Sequence, residues 1–282
     1  MNNIVMGMGG CSPCVHIRAL RSLLAWSGSL LGFDLASGRL EVEIGAMRSA
    51  GATPEPLRSS FGRELDELKI QVEVMALKVD ESLQKATSVL LSGDVDLAAE
   101  VVAADDEIDE MLVSLTERCY DLLCRQSPVA SDLRLVVSVI RILGDLERTG
   151  DLCLRIVKLV PDQPLLAANP PTFEILRQMS GEAIDTFRLA MRSWASGDLE
   201  LARSLAVRDI AMDGYNEHLM AEILRLQGSD AVATAVKTLL AGRALERIAD
   251  HSVMIAERLA YMLTGDIRSL SREVGPRDDE TE

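Results

Sequence analysis

The sequence repeats itself, because residues of its first half recur in the same order in its second half. The matched positions lie 104 residues apart: Met75, Leu83 and Ala86 against Met179, Phe187 and Ala190. The tripeptide Ser92-Gly93-Asp94 recurs at the same separation as Ser196-Gly197-Asp198. Self-similarity at a fixed period indicates two units of one architecture, so any fold proposed for one half must suit the other.

The spacing of apolar residues predicts three helices in each unit. Steps of four and three residues join Phe61, Leu65, Leu68, Val72, Met75 and Val79, as in a helix packed in a bundle. Ser92-Gly93-Asp94 supplies a helix stop and the next N-cap, and Ser127-Pro128 opens a third helix. Aromatic residues are only 3% of the chain, which disfavours strands. We therefore predict an all-α fold of two tandem three-helix bundles related by internal duplication.

Composition along the chain sets the predicted boundaries. Residues 1–56 are rich in glycine and form a poorly ordered extension, with Met47 as an alternative start of translation. The first repeat covers residues 57–160, a proline-rich linker 161–171, and the second repeat 172–265. Residues 266–282 are a disordered acidic tail.

Charge and cysteine content exclude several classes of protein. A formal net charge of −15 leaves no basic excess for binding nucleic acid phosphates. Five cysteines without a disulfide framework suit a reducing cytoplasm, and no apolar run reaches the ~20 residues of a membrane span. No phosphate loop or catalytic triad is present in the sequence, so we predict that the protein is not an enzyme.

A short acidic motif occurs once in each unit, as Leu-Glu-Arg-Thr-Gly-Asp at 146–151 and Leu-Glu-Arg-Ile-Ala-Asp at 245–250. On a helix, residues four apart lie on one face, so Glu147 and Asp151 point the same way, as do Glu246 and Asp250. Glu147 also takes a slot at which the seam through Leu133 and Ile140 would place an apolar residue. A buried carboxylate must be protonated, paired with a cation or bound to a metal.

The second helix of each unit adds a further pair, Asp105 with Asp109 and Asp209 with Asp213. Neighbouring antiparallel helices would thus bring four oxygen donors together in each unit. Such donors suit iron, manganese or magnesium better than zinc or copper. The alternative is a solvated acidic face whose charges pair with an arginine stripe at Arg134, Arg141, Arg148 and Arg155.

Three segments resemble the signature segments of the PhoU family of bacterial phosphate-signalling proteins: residues 126–134, 145–151 and 246–251. The resemblance extends over about 57–264 and includes the duplication. It implies a cytoplasmic, often dimeric protein that represses the phosphate-starvation response. It further implies contacts with a phosphate ABC transporter ATPase and a sensor histidine kinase, with no nucleic acid bound and membranes reached only through partners.

The resemblance also implies metal ligands, since some family members hold iron or other metals on these motifs. The residues that match are Glu147, Asp151, Glu246 and Asp250, with Asp105, Asp109, Asp209 and Asp213 in support. We assign Arg134, Arg141 and Arg148 as candidate partner-binding residues. Two alternatives stay open: a metal-binding carboxylate bundle with a storage or enzymatic role, and a purely structural scaffold.

Overall fold

The computed structural model describes residues 57–126, 128 and 130–270. In chain order the elements are α1 (Leu57–Ser92), α2 (Val95–Gln126), α3 (Ala130–Val157), a first 3-10 turn (Val160–Asp162), α4 (Gln163–Ala167), α5 (Pro170–Ser196), α6 (Leu199–Ile223), α7 (Ala231–Thr264) and a second 3-10 turn (Ile267–Leu270). Helices α1, α2 and α3 pack against one another, as do α5, α6 and α7. The prediction of an all-α fold of two tandem three-helix bundles is confirmed.

The same short segment turns the chain between the first two helices of each bundle. Gly93 and Gly197 adopt positive φ angles of 75° and 63°, which glycine reaches without steric cost. Asp94 Oδ1 then accepts from the Leu97 amide at 3.0 Å, and Asp198 Oδ1 accepts from the Leu201 amide at 3.0 Å. Both predicted N-caps are confirmed, because the chemistry that specifies them is local.

The apolar seam predicted for α1 is confirmed, whereas the one predicted for α3 is confirmed only in part. Every predicted seam residue of α1 between Phe61 and Val79 is buried. In α3, Leu133 is 42% exposed, but three further residues of the predicted seam are buried: Val136, Leu143 and Val157. Residues outside that seam are buried too: Leu135, Val139 and Ile142. Helix α3 contacts α1, α2 and α7, so its apolar residues cover most of the circumference and do not form one stripe.

The segment 161–171 is packed against both bundles. It contains α4 and the start of α5, whose N-cap is Asn169, with Oδ1 accepting from the Thr172 amide at 3.2 Å. Leu166 is fully buried, and the Gln163 side chain donates to the Leu91 carbonyl at 2.9 Å. Its prolines stand in the first turns of helices, where their missing N–H costs nothing.

Helices α3 and α7 pack antiparallel and join the two bundles. The start of α3 lies at the end of α7, since Arg134 Nε donates to the Met262 carbonyl at 3.3 Å. Further along, Arg258 donates to the Arg141 carbonyl at 3.2 Å. This antiparallel contact brings the acidic motif of α3 beside the acidic motif of α7.

Two parts of the predicted domain scheme fall partly or wholly outside the structure. The extension 1–56, with the alternative start at Met47, lies outside the described residues, as does the chain after Leu270. The first residues of the predicted tail are ordered here, because Ile267–Leu270 forms a 3-10 turn and Leu270 is buried. Leu270 gives this short stretch a packed position, whereas Ile267 is 51% exposed.

Candidate functional site

The four carboxylates of the first bundle lie close together, as the helical spacing predicts. Asp105 of α2 faces Gly150 of α3, where a Cβ atom would lie 3.6 Å from Asp105 Oδ1. Burial, followed by the charges of Asp109, Asp151 and Asp106, raises the pKa of Asp105, while Lys158 lowers it. The charges of α2 and α3 therefore act on one another across the helix pair.

Glu147 belongs to the same cluster. Burial raises its pKa most, and the charges of Asp151 and Asp109 raise it further, while Arg148 opposes them. Glu147 is half-buried, whereas Asp109 and Asp151 are exposed. Glu147, which the apolar pattern placed at a core position, is therefore only partly buried. We name Asp105, Asp109, Glu147 and Asp151 the first acidic face.

A raised pKa means that the folded protein favours protons on this face more than the unfolded chain does. The contribution of each group to stability is complete below its ordinary pKa, 3.8 for Asp105 and 4.5 for Glu147. That contribution is lost as the pH rises through the higher pKa of the folded state. At neutral pH the face therefore carries repulsion that a cation or a basic partner surface would relieve.

The corresponding residues of the second bundle have a different environment. Asp209, Glu246 and Asp250 are half-buried and Asp213 is exposed. Arg243 Nη1 donates to Glu246 Oε2 at 2.5 Å, whereas the position 99 residues earlier in the first bundle is Gly144. Asp209, Asp213 and Asp250 also have interaction partners. The duplication has therefore kept the acids of the motif and changed the residues around them.

Neither acidic set is arranged as a metal centre in the structure. Among the described residues, no group of three or more His, Cys, Asp and Glu side chains is placed to hold a metal ion. Helix register brings the first acidic face together, but carboxylate oxygens need to converge on one point to coordinate a cation. Coordination by these residues would require their side chains to move.

The arginine stripe of α3 divides into residues with different surroundings. Arg134 is half-buried, and its contact with the Met262 carbonyl satisfies the carboxyl end of α7. Arg141 and Arg148 are exposed on the same helix. Of the three predicted partner-binding residues, Arg134 therefore has an internal role, and the other two lie on the surface.

Sequence reasoning missed a buried ionic group between the bundles. Asp145 of α3 is 3% exposed, and its Oδ1 lies 3.1 Å from His251 Nδ1 of α7. Its Oδ2 pairs with the guanidinium of Arg258, which is also buried. The residues 99 positions away in the repeat are Ala244, Leu152 and Leu159, all apolar. This departure from the repeat was the signal in the sequence that could have identified the group.

His251 is a donor within this group. Burial lowers its pKa most, and the charges of Arg247 and Arg148 lower it further, against the raising effects of Asp250 and Glu147. A neutral imidazole facing a carboxylate must carry its proton on the facing nitrogen, so Nδ1–H donates to Asp145. His251 thus lies buried between α7 and α3. Because the charges of Glu147 and Asp250 raise its pKa, His251 lies near enough to both acidic motifs to interact with them.

In the part of the chain that the structure describes, no helix combines the length and apolar character needed to cross a bilayer.

Comparisons with known proteins agree with the duplicated helical fold. The family model described as "PhoU domain" matches residues 72–160 and 176–259, one match in each bundle. "Phosphate-specific transport system accessory protein PhoU homolog 2" of Mycobacterium tuberculosis is 30% identical over 210 residues, covering 74% of this chain and 99% of the relative. The PhoU homolog of Pseudomonas aeruginosa is 29% identical over 217 residues, covering 76% and 90% of the two chains.

Two solved structures share the architecture. PhoU from Pseudomonas aeruginosa superposes with a TM-score of 0.68 at 29% identity, covering 73% of this chain and all of the other. The phosphate transport system regulatory protein PhoU from Streptococcus pneumoniae superposes with a TM-score of 0.66 at 30% identity, covering 73% and 98%. Since both bundles match the family model and the full length of solved relatives, the chain belongs to the PhoU family.

Proposed function

We propose that the protein is a negative regulator of phosphate uptake and of the phosphate-starvation response. One observation carries the proposal: the two PhoU domains span nearly all of a relative named as a phosphate-specific transport system accessory protein. In this proposal the protein works in the cytoplasm, as a homodimer, by contacting a phosphate ABC transporter ATPase and a sensor histidine kinase. It acts by binding partners and not by turnover.

The surface chemistry supports recognition of charged partners. The first acidic face presents two exposed carboxylates, Asp109 and Asp151, and Arg141 and Arg148 are exposed on α3. Opposite charges close together on one surface favour oriented docking, because complementary potentials guide encounter and penalise wrong partners. We propose that a basic partner surface docks on the first acidic face, while Arg141 and Arg148 contact acidic groups.

The regulatory role can be tested with a phosphate-starvation reporter in phosphate-rich medium. We expect deletion of the gene to raise reporter activity to the level of phosphate-depleted cells, because the repressing contact is lost. The full chain should restore repression. Cells that carry no second copy of a PhoU protein are required, and a reporter that stays low in such cells would contradict the proposal.

A double variant tested in the same cells distinguishes docking from a purely structural role. Glu147→Gln with Glu246→Gln removes one charge from each motif and keeps the shape of the side chains. If partners dock through the acidic motifs, cells with the double variant should lose repression at an unchanged protein level. A structural scaffold predicts intact repression and an equal or greater stability, since removal of poorly compensated charge can be favourable.

The second candidate function is a carboxylate bundle that binds iron, manganese or magnesium, with a storage or enzymatic role. The proximity of four acids on the first acidic face favours it, because a divalent cation bound after a movement of their side chains would relieve their mutual repulsion. Ligand-linked stabilisation is about 2.7 kcal/mol at 100 times the Kd, and each kcal/mol shifts the Tm by roughly 2–4 °C at this size. We expect Mn²⁺ to raise the Tm of the wild-type protein by several degrees.

The matched variant for this test is Asp105→Asn with Glu147→Gln, which removes two negative charges from the first acidic face. Its Tm without metal should equal or exceed that of the wild type, because like charges are removed. Its response to Mn²⁺ should be much smaller. Equal shifts in both proteins would place the cation elsewhere and reject the first acidic face as the site.

A further inference from the structure

A cavity of about 250 Å³ lies where the two bundles meet, and none of its lining residues belongs to either acidic motif. Its lining comes from α3, α7 and the second 3-10 turn: Val137, Ser138, Arg141, Arg258, Tyr261, Ile267 and Leu270. The share of liquid volume taken by one water is about 30 Å³, so the cavity has room for a ligand with several oxygen atoms.

The charge of the lining is opposite to that of the protein. Of the residues that the structure describes, two arginines and no acidic residue line this cavity, although the chain carries a formal net charge of −15. The charge of Arg258 is balanced by its ion pair with Asp145. Arg141 of α3 adds a second guanidinium to the lining. A guanidinium has five N–H donors in a planar fork, so one arginine can serve a carboxylate, a backbone carbonyl and a further acceptor together.

Ser138 supplies an independent observation that points to a ligand. Its side chain is 1% exposed, and its hydroxyl has no hydrogen-bond partner in the protein. Two other buried hydroxyls on these helices donate to the preceding turn, Thr149 to the Asp145 carbonyl at 2.8 Å and Ser252 to the Ile248 carbonyl at 2.8 Å. Thr238 of α7 shares the unpartnered state of Ser138, but it does not line the cavity. A buried hydroxyl without a partner costs about 1–3 kcal/mol, and an acceptor that enters the cavity would recover that loss once the Ser138 hydroxyl rotates toward it.

We propose that this cavity binds a small oxyanion such as inorganic phosphate. The Ser138 hydroxyl and the guanidiniums of Arg141 and Arg258 are the donors, and their number and charge match an acceptor that offers several oxygens. Ile267 and Leu270 close the apolar side of the site. The inference does not depend on the proposed regulatory role, since binding can be measured on the purified chain alone.

The test is isothermal titration of the full chain with sodium phosphate at pH 7.5, with chloride keeping the ionic strength constant. We expect saturable binding of one phosphate, and competition by sulfate. Ser138→Ala and Arg141→Gln should each weaken binding about tenfold or more, as expected for a lost hydrogen bond to a charged group. Arg155→Gln is the matched control: it removes the same charge from an exposed position of α3 outside the cavity lining.

Two results would overturn the proposal. The first is no saturable binding to the wild type at about 10 mM phosphate, which would leave water as the occupant. The second is binding that Ser138→Ala and Arg141→Gln weaken no more than Arg155→Gln, which would place the anion elsewhere. Arg141 is exposed and Ser138→Ala removes one atom, so both variants are expected to fold; thermal unfolding of each confirms this before titration.

Discussion

Asp145→Ala is expected to lower the free energy of unfolding by about 3–5 kcal/mol, the cost of removing one partner from a buried ion pair. The substitution leaves the buried Arg258 guanidinium without its carboxylate and removes the acceptor of His251 Nδ1–H. Urea unfolding at pH 7.5 measures the loss, with circular dichroism and tryptophan fluorescence as independent probes. Coincident transitions would justify a two-state treatment.

Asp151→Ala is the control, because it removes the same charge from an exposed position of the same helix. Its effect should stay within about 0.5 kcal/mol, as for other surface substitutions. If both variants lose similar stability, the effect of Asp145 would come from α3 itself and not from the ionic group.

The repeat provides a second variant that tests the same interpretation. Asp145→Ala, His251→Leu and Arg258→Leu together install the residues that stand at the corresponding positions, Ala244, Leu152 and Leu159. Replacing a complete buried ionic group by apolar residues is often neutral or stabilising. The triple variant should therefore recover most of the stability that Asp145→Ala loses. A triple variant no more stable than the single one would show that packing around residue 145, and not unpaired charge, sets the cost.

The fold could be predicted because its signals are local and occur twice. Ser-Gly-Asp specifies the same helix stop and N-cap wherever it stands, and the α1 seam repeats over about five turns of one face. The seam of α3 could not be predicted in the same way. This helix has neighbours on several sides, so Leu133 and Leu135 are equally plausible inward residues until the partners of the helix are known.

The residues of the candidate site could likewise be predicted only within one bundle. Spacing placed Asp105 near Glu147 because both lie on adjacent helices of one bundle, and the raised pKa values agree with that placement. Asp145 and His251 are 106 residues apart and meet only through the packing of α3 on α7. Cavity residues such as Ser138 and Tyr261 come together by the same interhelical contact. No periodicity within one helix encodes which residues of another helix will face it.

Gly242→Ala is expected to destabilise the protein by about 1–3 kcal/mol, although alanine favours a helix more than glycine by about 0.5–1 kcal/mol. Helices α6 and α7 approach closely at this point, and a Cβ at residue 242 would overlap the Cδ2 methyl group of Leu219. Leu219 is fully buried, so its side chain has little room to turn away. Thermal and urea unfolding measure the net effect.

Gly144→Ala is the matched control, since Gly144 also lies inside a long helix and a Cβ there would meet nothing within 4 Å. It should stabilise the protein by about 0.5–1 kcal/mol through helix propensity alone. Combining Gly242→Ala with Leu219→Ala removes the overlapping methyl group, so the double variant should lose less than the sum of the two single losses. Strict additivity, or a Gly242→Ala variant as stable as Gly144→Ala, would mean that Leu219 moves aside freely and that the close approach of α6 and α7 does not require glycine.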